Sequence, residues 1–114
     1  MTKIRMNWAT HTLEMTGHAN SGPPGQDLVC CAESILSQTL ITSLQVMATC
    51  GEVLLEWEGN QEHGTLWIHA ETKDKERQKE MTHYFRFALN GLNMLMDQYP
   101  EYIEVREVCN NGNT

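Results

Sequence analysis

Two hydropathy periods alternate along this chain, and their order restricts the fold more than any other feature. Thr2 to Ala9 places Ile4, Met6 and Trp8 against Arg5 and Asn7, the period-two pattern of a half-buried strand. Thr10-His11 fits a tight connection, and a second alternating run sets Leu13 and Met15 against Glu14 and Thr16. Gly17-His18 ends it, and Ala19 to Gln26, with Asn20, Ser21, Gly22, Pro23, Pro24 and Gly25, is loop chemistry throughout. The period then changes to that of a helix. Asp27 is a good N-cap, Leu28, Ala32, Ile35, Leu36, Leu40, Leu44 and Met47 recur at helical spacing, and Gly51 is a plausible stop.

Strand, strand and helix periods then follow a second time, although the sequence holds no internal repeat. Val53, Leu55 and Trp57 alternate with Glu52, Leu54, Glu56 and Glu58; Gly59 to Gly64 reads as a hairpin loop; Thr65 to Ala70 gives a fourth strand with Leu66, Ile68 and Ala70 on one face. After the charged stretch Thr72 to Glu80, a long helix buries Met81, Tyr84, Phe85, Ala88, Leu89, Leu92, Leu95, Met96 and Tyr99, and Pro100 ends it. Ile103 and Val105 against Glu104 and Arg106 make a last strand, and Asn110 to Thr114 reads as a frayed tail. The expectation is an α+β fold of ββαββαβ order, a two-layer sandwich with both helices on one face of a mixed β-sheet. The other sheet face would carry Arg5, Asn7, Glu56, Glu58, Trp67, His69 and Arg106.

The 114 residues make one domain, 1–114, with about two thirds of the unfolded surface buried. Eight Lys or Arg against fifteen Asp or Glu leave a net charge of −7. That balance speaks against direct nucleic-acid binding, which needs clustered cations; Lys73 to Lys79 is the only basic concentration, broken by Asp74 and Glu76. An acidic surface suits a basic partner. Met1 to Met15 shows no export signal and no segment could span a bilayer, so no membrane role is expected and the expected compartment is the reducing cytoplasm. There, four cysteines are buried, metal-bound or reactive rather than bridged. His11, His63, His69 and His83 fall in separate elements and no CxxC or HxxxH spacing occurs, so neither a metal nor another cofactor is expected.

Cys30 is the cysteine with a chemical setting. With Asp27 as N-cap it would lie in the first helical turn, where unpaired N–H groups and the helix dipole favour a thiolate. His18, at a strand end before a Gly-rich loop, could fold back beside it and act as base. The opposing reading makes Cys30 a buried small hydrophobe and Asp27 simply a cap. By the same spacing Cys31 packs inward, Cys50 packs at the helix end and Cys109 belongs to the tail, while Trp8 and Trp57 are core-side by parity. Phe87 and Met94 lie off the main face of the second helix and widen its core face or form a dimer contact.

The segment Gly17-His18-Ala19 followed by Gly25-Gln26-Asp27-Leu28-Val29-Cys30-Cys31-Ala32-Glu33-Ser34 resembles the Prp family of ribosomal-processing cysteine proteases, whose pattern is GHA and then GxDIVCAAxS. Asn90-Gly91-Leu92 with Tyr99-Pro100-Glu101-Tyr102-Ile103 resembles its C-terminal segment, so the likeness covers nearly the whole chain. It implies a homodimeric cysteine endopeptidase (a thiol protease, hence a hydrolase) that removes the N-terminal extension of large-subunit ribosomal protein twenty-seven, a basic protein substrate, during ribosome biogenesis. Carried over by position, Cys30 is the nucleophile and His18 its base and acid. Gly17, Asp27 and Ser34 are supporting residues, and the loop with Ala19, Gly22, Pro23, Pro24 and Gly25 is a mobile flap. Helix N-terminal N–H groups would hold the oxyanion.

Cys31 stands where alanine is usual in the family and Glu33 where a small apolar residue is common, and the Pro23-Pro24 pair stiffens the flap. Two alternatives stay open on these departures: a non-catalytic protein-binding or assembly module on the same fold, and a protease acting on a phage structural protein. A thiol-redox role would need Cys30 and Cys31 to act together. Trp67, Phe87 and Met94 are the candidates for a dimer surface.

Overall fold

A computed structural model describes residues 1–18, 23–60 and 63–109, with residues 23–27 as backbone alone. The elements are β1 (Thr2–Asn7), β2 (Thr12–Thr16), α1 (Pro23–Thr49), β3 (Leu54–Asn60), β4 (Thr65–Glu71), α2 (Lys75–Gln98) and β5 (Ile103–Val108). This is the expected ββαββαβ order. The strands form one sheet in the order β3-β4-β2-β1-β5, antiparallel throughout except for the parallel pair β1 and β5.

The pairings make β2–α1–β3 and β4–α2–β5 parallel crossovers, which need a helix-sized connection rather than a hairpin. The first crossover runs one way across the sheet from a strand pointing up, the second the other way from a strand pointing down. The right-handed rule therefore puts both helices on the same face. That face holds the core. Register lines up Ile4 with Met15 and Val105, and Met6 with Leu13, all buried beneath α1 and α2. From α1 come Val29, Leu40, Ile41, Leu44 and Met47; from α2 come Met81, Phe85, Ala88, Leu89 and Leu92. A Cβ at Gly91 would stand 2.6 Å from a Leu36 methyl, so the missing side chain is what lets the two helices approach.

Several boundaries differ from the sequence reading. The first helix starts at Pro23, not after Asp27, so Pro23, Pro24 and Gly25 are helical residues rather than flap loop and Asp27 is not an N-cap. Proline is tolerated in a first turn because its missing N–H would have no helical partner there. Ala19 and Gly22 lie outside the described residues, as does the side chain of Asp27. β1 ends at Asn7, and β3 runs on to Asn60. The second helix begins within the charged stretch, at Lys75, where the Asp74 carboxylate accepts from the N–H groups of Glu76 and Arg77 at 2.9 and 3.1 Å.

The inward stripe of α1 is also rotated from the expected one. Leu28 and Ile35 are exposed, while Val29, Glu33 and Ser37 are buried in their place. Two polar residues on the inner face hid the true phase from a count of apolar ones. Cys31 consequently points to solvent instead of packing inward, and Cys50 is exposed as well. Phe87 and Met94 are exposed and do not widen the core. Trp67 is exposed too, but it sits on the open sheet face, so the three candidate dimer residues do not share a surface. Trp8 is half-buried just beyond β1. Its indole donates to Glu107 at 2.8 Å and lies 4.4 Å beneath the Arg86 guanidinium, tying β1, α2 and β5 together.

His11 closes the β1–β2 turn at φ 50° and is buried against Phe85, its Nε2 2.8 Å from the Thr82 hydroxyl. Burial first, and the His69 charge second, hold its pKa below 6.5. The unfolded chain therefore takes up a proton at His11 before the fold does. Stability contributed by neutral His11 is present above pH 6.5 and drains away as pH falls below it. His11→Asn, which tolerates positive φ, should flatten the urea-midpoint slope between pH 7 and pH 5. An unchanged slope would assign the acid lability elsewhere.

Candidate active site

A cleft of about 600 Å³ opens between the outer edge of α1 and the β3–β4 hairpin. One wall is a single face of α1 (Cys30, Glu33, Ser34, Ser37, Gln38, Ile41, Thr42 and Gln45), which at 1.5 Å per residue runs about 22 Å. The opposite wall is Trp57, Gly59 and Asn60 of β3 with Gly64, Thr65 and Leu66; Thr2, Met15, Gly17 and His18 close the end nearest Cys30. Parity alone would put Trp57 in the core. It does face the helix side, yet β3 is the sheet edge, so the ring projects past α1 and is 47% exposed. An edge strand facing a helix across a groove can take an extended peptide.

Of the residues singled out from sequence, Cys30, His18, Gly17 and Ser34 all line this cleft. They arrive from different elements, Cys30 and Ser34 from α1 and His18 from the segment after β2. Gly17 has φ +89°, and a Cβ there would lie 2.5 Å from the Met1 carbonyl oxygen, so this glycine lets the chain turn tightly past β1. Gly64, at φ +62°, backs directly onto His18: a Cβ would stand 2.8 Å from both Cε1 and Nε2 of the imidazole. The hairpin turn thus fixes one side of the histidine pocket.

Cys30 does not lie in the first turn of α1. With α1 beginning at Pro23, Cys30 is seven residues into the helix, past the first turn whose N–H groups lack partners and where the dipole acts. It is half-buried, whereas Cys31, Cys50 and Cys109 are exposed.

Sequence reasoning missed Gly64, Trp57 and Glu33 as parts of this site. Glu33 had a readable signal, since three residues after Cys30 on a helix is the same face. Its side chain is buried; Oε2 accepts from the Thr2 hydroxyl at 3.1 Å, and Oε1 has no partner among the described residues. Burial pushes the carboxyl up to about 6, against the opposing pull of the Thr2 hydrogen bond and the N-terminal ammonium. In the unfolded chain, with a value near 4.5, the group ionises first as pH rises. Stability therefore falls between about pH 4.5 and pH 6, by about 2 kcal/mol. Glu33→Gln should remove that decline in a pH series of urea unfolding, leaving the variant the more stable protein at pH 8. A Gln variant that keeps the decline would contradict the assignment.

A family model described as cysteine protease Prp matches residues 1–104. The chain belongs to the cysteine protease Prp family. Solved structures share the family's architecture. SMU.848 from Streptococcus mutans superposes with a TM-score of 0.71 at 26% identity, over 96% of this chain and 93% of that one. The ribosomal processing protease Prp from S. aureus superposes in two forms, each at 20% identity. With a covalently linked product peptide the TM-score is 0.68, covering 93% of this chain and 96% of that one; with a substrate peptide it is 0.67, covering 94% and 99%. No curated protein matches in sequence. Among the described residues, no helix is long and apolar enough to cross a membrane.

Proposed function

We propose that this protein is a cytoplasmic Cys–His endopeptidase that removes the N-terminal extension from large-subunit ribosomal protein twenty-seven. The observation that carries this reading is the meeting of Cys30 and His18, from separate elements, in one peptide-sized cleft. Membership of the Prp family supports the reaction class, and the peptide-bound S. aureus structures are consistent with an extended substrate in such a groove. A net charge of −7 suits a basic substrate.

In this reaction the Cys30 sulfur attacks the scissile carbonyl carbon, breaking its π bond onto oxygen, while His18 takes the thiol proton. His18 returns that proton to the leaving amine as the C–N bond breaks, giving a thioester and a free amine. Water, deprotonated by His18, then hydrolyses the thioester and restores the thiol. The Cys30 N–H is committed to the interior of α1, so the oxyanion needs other donors. Ser34, one turn along and in the same cleft, is the nearest hydroxyl by position and the first to test.

The test is incubation with the ribosomal precursor carrying its native extension, read by mass spectrometry of both fragments. One cut between extension and mature protein is expected. An intact precursor beside active cutting of another protein would move the substrate elsewhere, and no cutting at all would favour a binding module. The homodimer that the family resemblance implies rests here on exposed Phe87 and Met94, seven residues apart on α2. Phe87→Glu should shift sedimentation to a monomer.

A further inference from the structure

We infer that the open face of the sheet carries a second substrate-docking site, where Trp67, Glu14 and Glu58 take a lysine or arginine side chain of the basic ribosomal protein on the C-terminal side of the cut. The inference rests on the endopeptidase reading above. Register places Glu58, Trp67 and Glu14 side by side on β3, β4 and β2, on the face turned away from the helices. The next row holds Asn60, Thr65 and Thr16, whose short side chains leave a depression of about 450 Å³. Trp67 stands in its wall, 37% exposed, with the indole near-parallel to the His69 imidazole and 5.9 Å from it.

The charge of this face selects the partner. Glu14, Glu56, Glu58 and Glu71 stand on the three strands that form the depression, whereas Lys3, Arg5 and Arg106 are confined to β1 and β5. No Lys or Arg lines the depression, and among the described residues no ion pair neutralises Glu14 or Glu58. An ammonium or guanidinium group between two carboxylates and an indole gains charge-assisted hydrogen bonds and a cation–π contact, while a carboxylate is repelled. The depression is also continuous with the cleft. Met15, Gly59, Asn60, Thr65 and Leu66 line both, so the two lie back to back across the same strand ends. An extended chain advances about 3.3 Å per residue, so about four to eight residues carry it from the cleft round the β3–β4 hairpin. The body of a basic substrate, still attached before the cut, supplies the cation.

The experiment compares the full-length ribosomal precursor with a short peptide ending about three residues beyond the cut, using wild type, Glu14→Gln/Glu58→Gln, Trp67→Ala and Trp67→Phe. For the precursor, KM should rise about tenfold in the double Gln variant and in Trp67→Ala with kcat unchanged, and Trp67→Phe should keep part of the affinity. For the short peptide all four proteins should share one kcat/KM. Raising NaCl from about 50 to about 300 mM should raise the wild-type KM for the precursor and not for the short peptide, a comparison that stands even if a variant does not fold. A precursor KM unchanged in the double variant, or a short peptide affected as strongly as the precursor, overturns this inference and leaves the peptidase reading standing. So does a change of sedimentation in place of a change in KM, which would give this face to a second copy. No cleavage of either substrate by wild type overturns both.

Discussion

Cys30→Ala is expected to abolish peptide cleavage, lowering kcat/KM by at least about 10⁴-fold, with the fold intact. Covalent catalysis replaces one difficult displacement by two easier ones, and Cys30 is the one thiol among the described residues that line the cleft. The neighbouring Cys31 offers a sharp control. It follows Cys30 directly but points to solvent about 100° around the helix, outside the cleft. Cys31→Ala should therefore retain nearly full activity. His18→Ala removes general acid and base catalysis together and should cost about 10²- to 10⁴-fold. Cleavage that survives in Cys30→Ala and fails in Cys31→Ala would move the nucleophile by one residue and require a different face of α1.

The second large effect is expected at a residue that does no chemistry. Gly64→Ala places a methyl group 2.8 Å from the His18 ring and 2.6 Å from the Gly17 carbonyl, so the imidazole must move. A displacement of about 1 Å in a catalytic base costs about 10²-fold. The variant also strains a positive-φ position by about 1 kcal/mol. Gly51 separates the two effects. It has φ +80° at the end of α1, and a Cβ there would meet nothing within 4 Å, so Gly51→Ala carries the strain without the clash. Gly51→Ala should lose stability in urea from the strain alone and keep its activity, whereas Gly64→Ala should lose more stability and lose activity as well. Equal activity in the two would show that the hairpin does not position His18.

The strand pattern was legible because five short segments alternate cleanly, and Met81 to Leu92 on α2 reads as one apolar stripe. The first helix was harder for a physical reason at each end of the argument. Pro23-Pro24-Gly25 carries turn chemistry in isolation, yet these residues open α1. Glu33 and Ser37 occupy the inner face where apolar residues were sought, which exchanged Leu28 and Ile35 for Val29 on the core side. That Cys30 and His18 line one cleft was foreseeable because both lie in one short segment. Gly64 and Trp57 come from the distant hairpin, and only the sheet order β3-β4-β2 brings that hairpin to the cleft.

The central claim is that Cys30 is reactive because of the cleft it shares with His18, and an affinity label tests it most directly. A chloromethyl ketone on a peptide ending at the cleaved bond is incubated with the protein, and the modified cysteine is located by peptide mapping. Exposure alone would favour Cys31, Cys50 and Cys109 over half-buried Cys30. A single adduct on Cys30 is expected, forming far more slowly in His18→Ala. Labelling spread over the three exposed cysteines, with Cys30 unmodified, would contradict it.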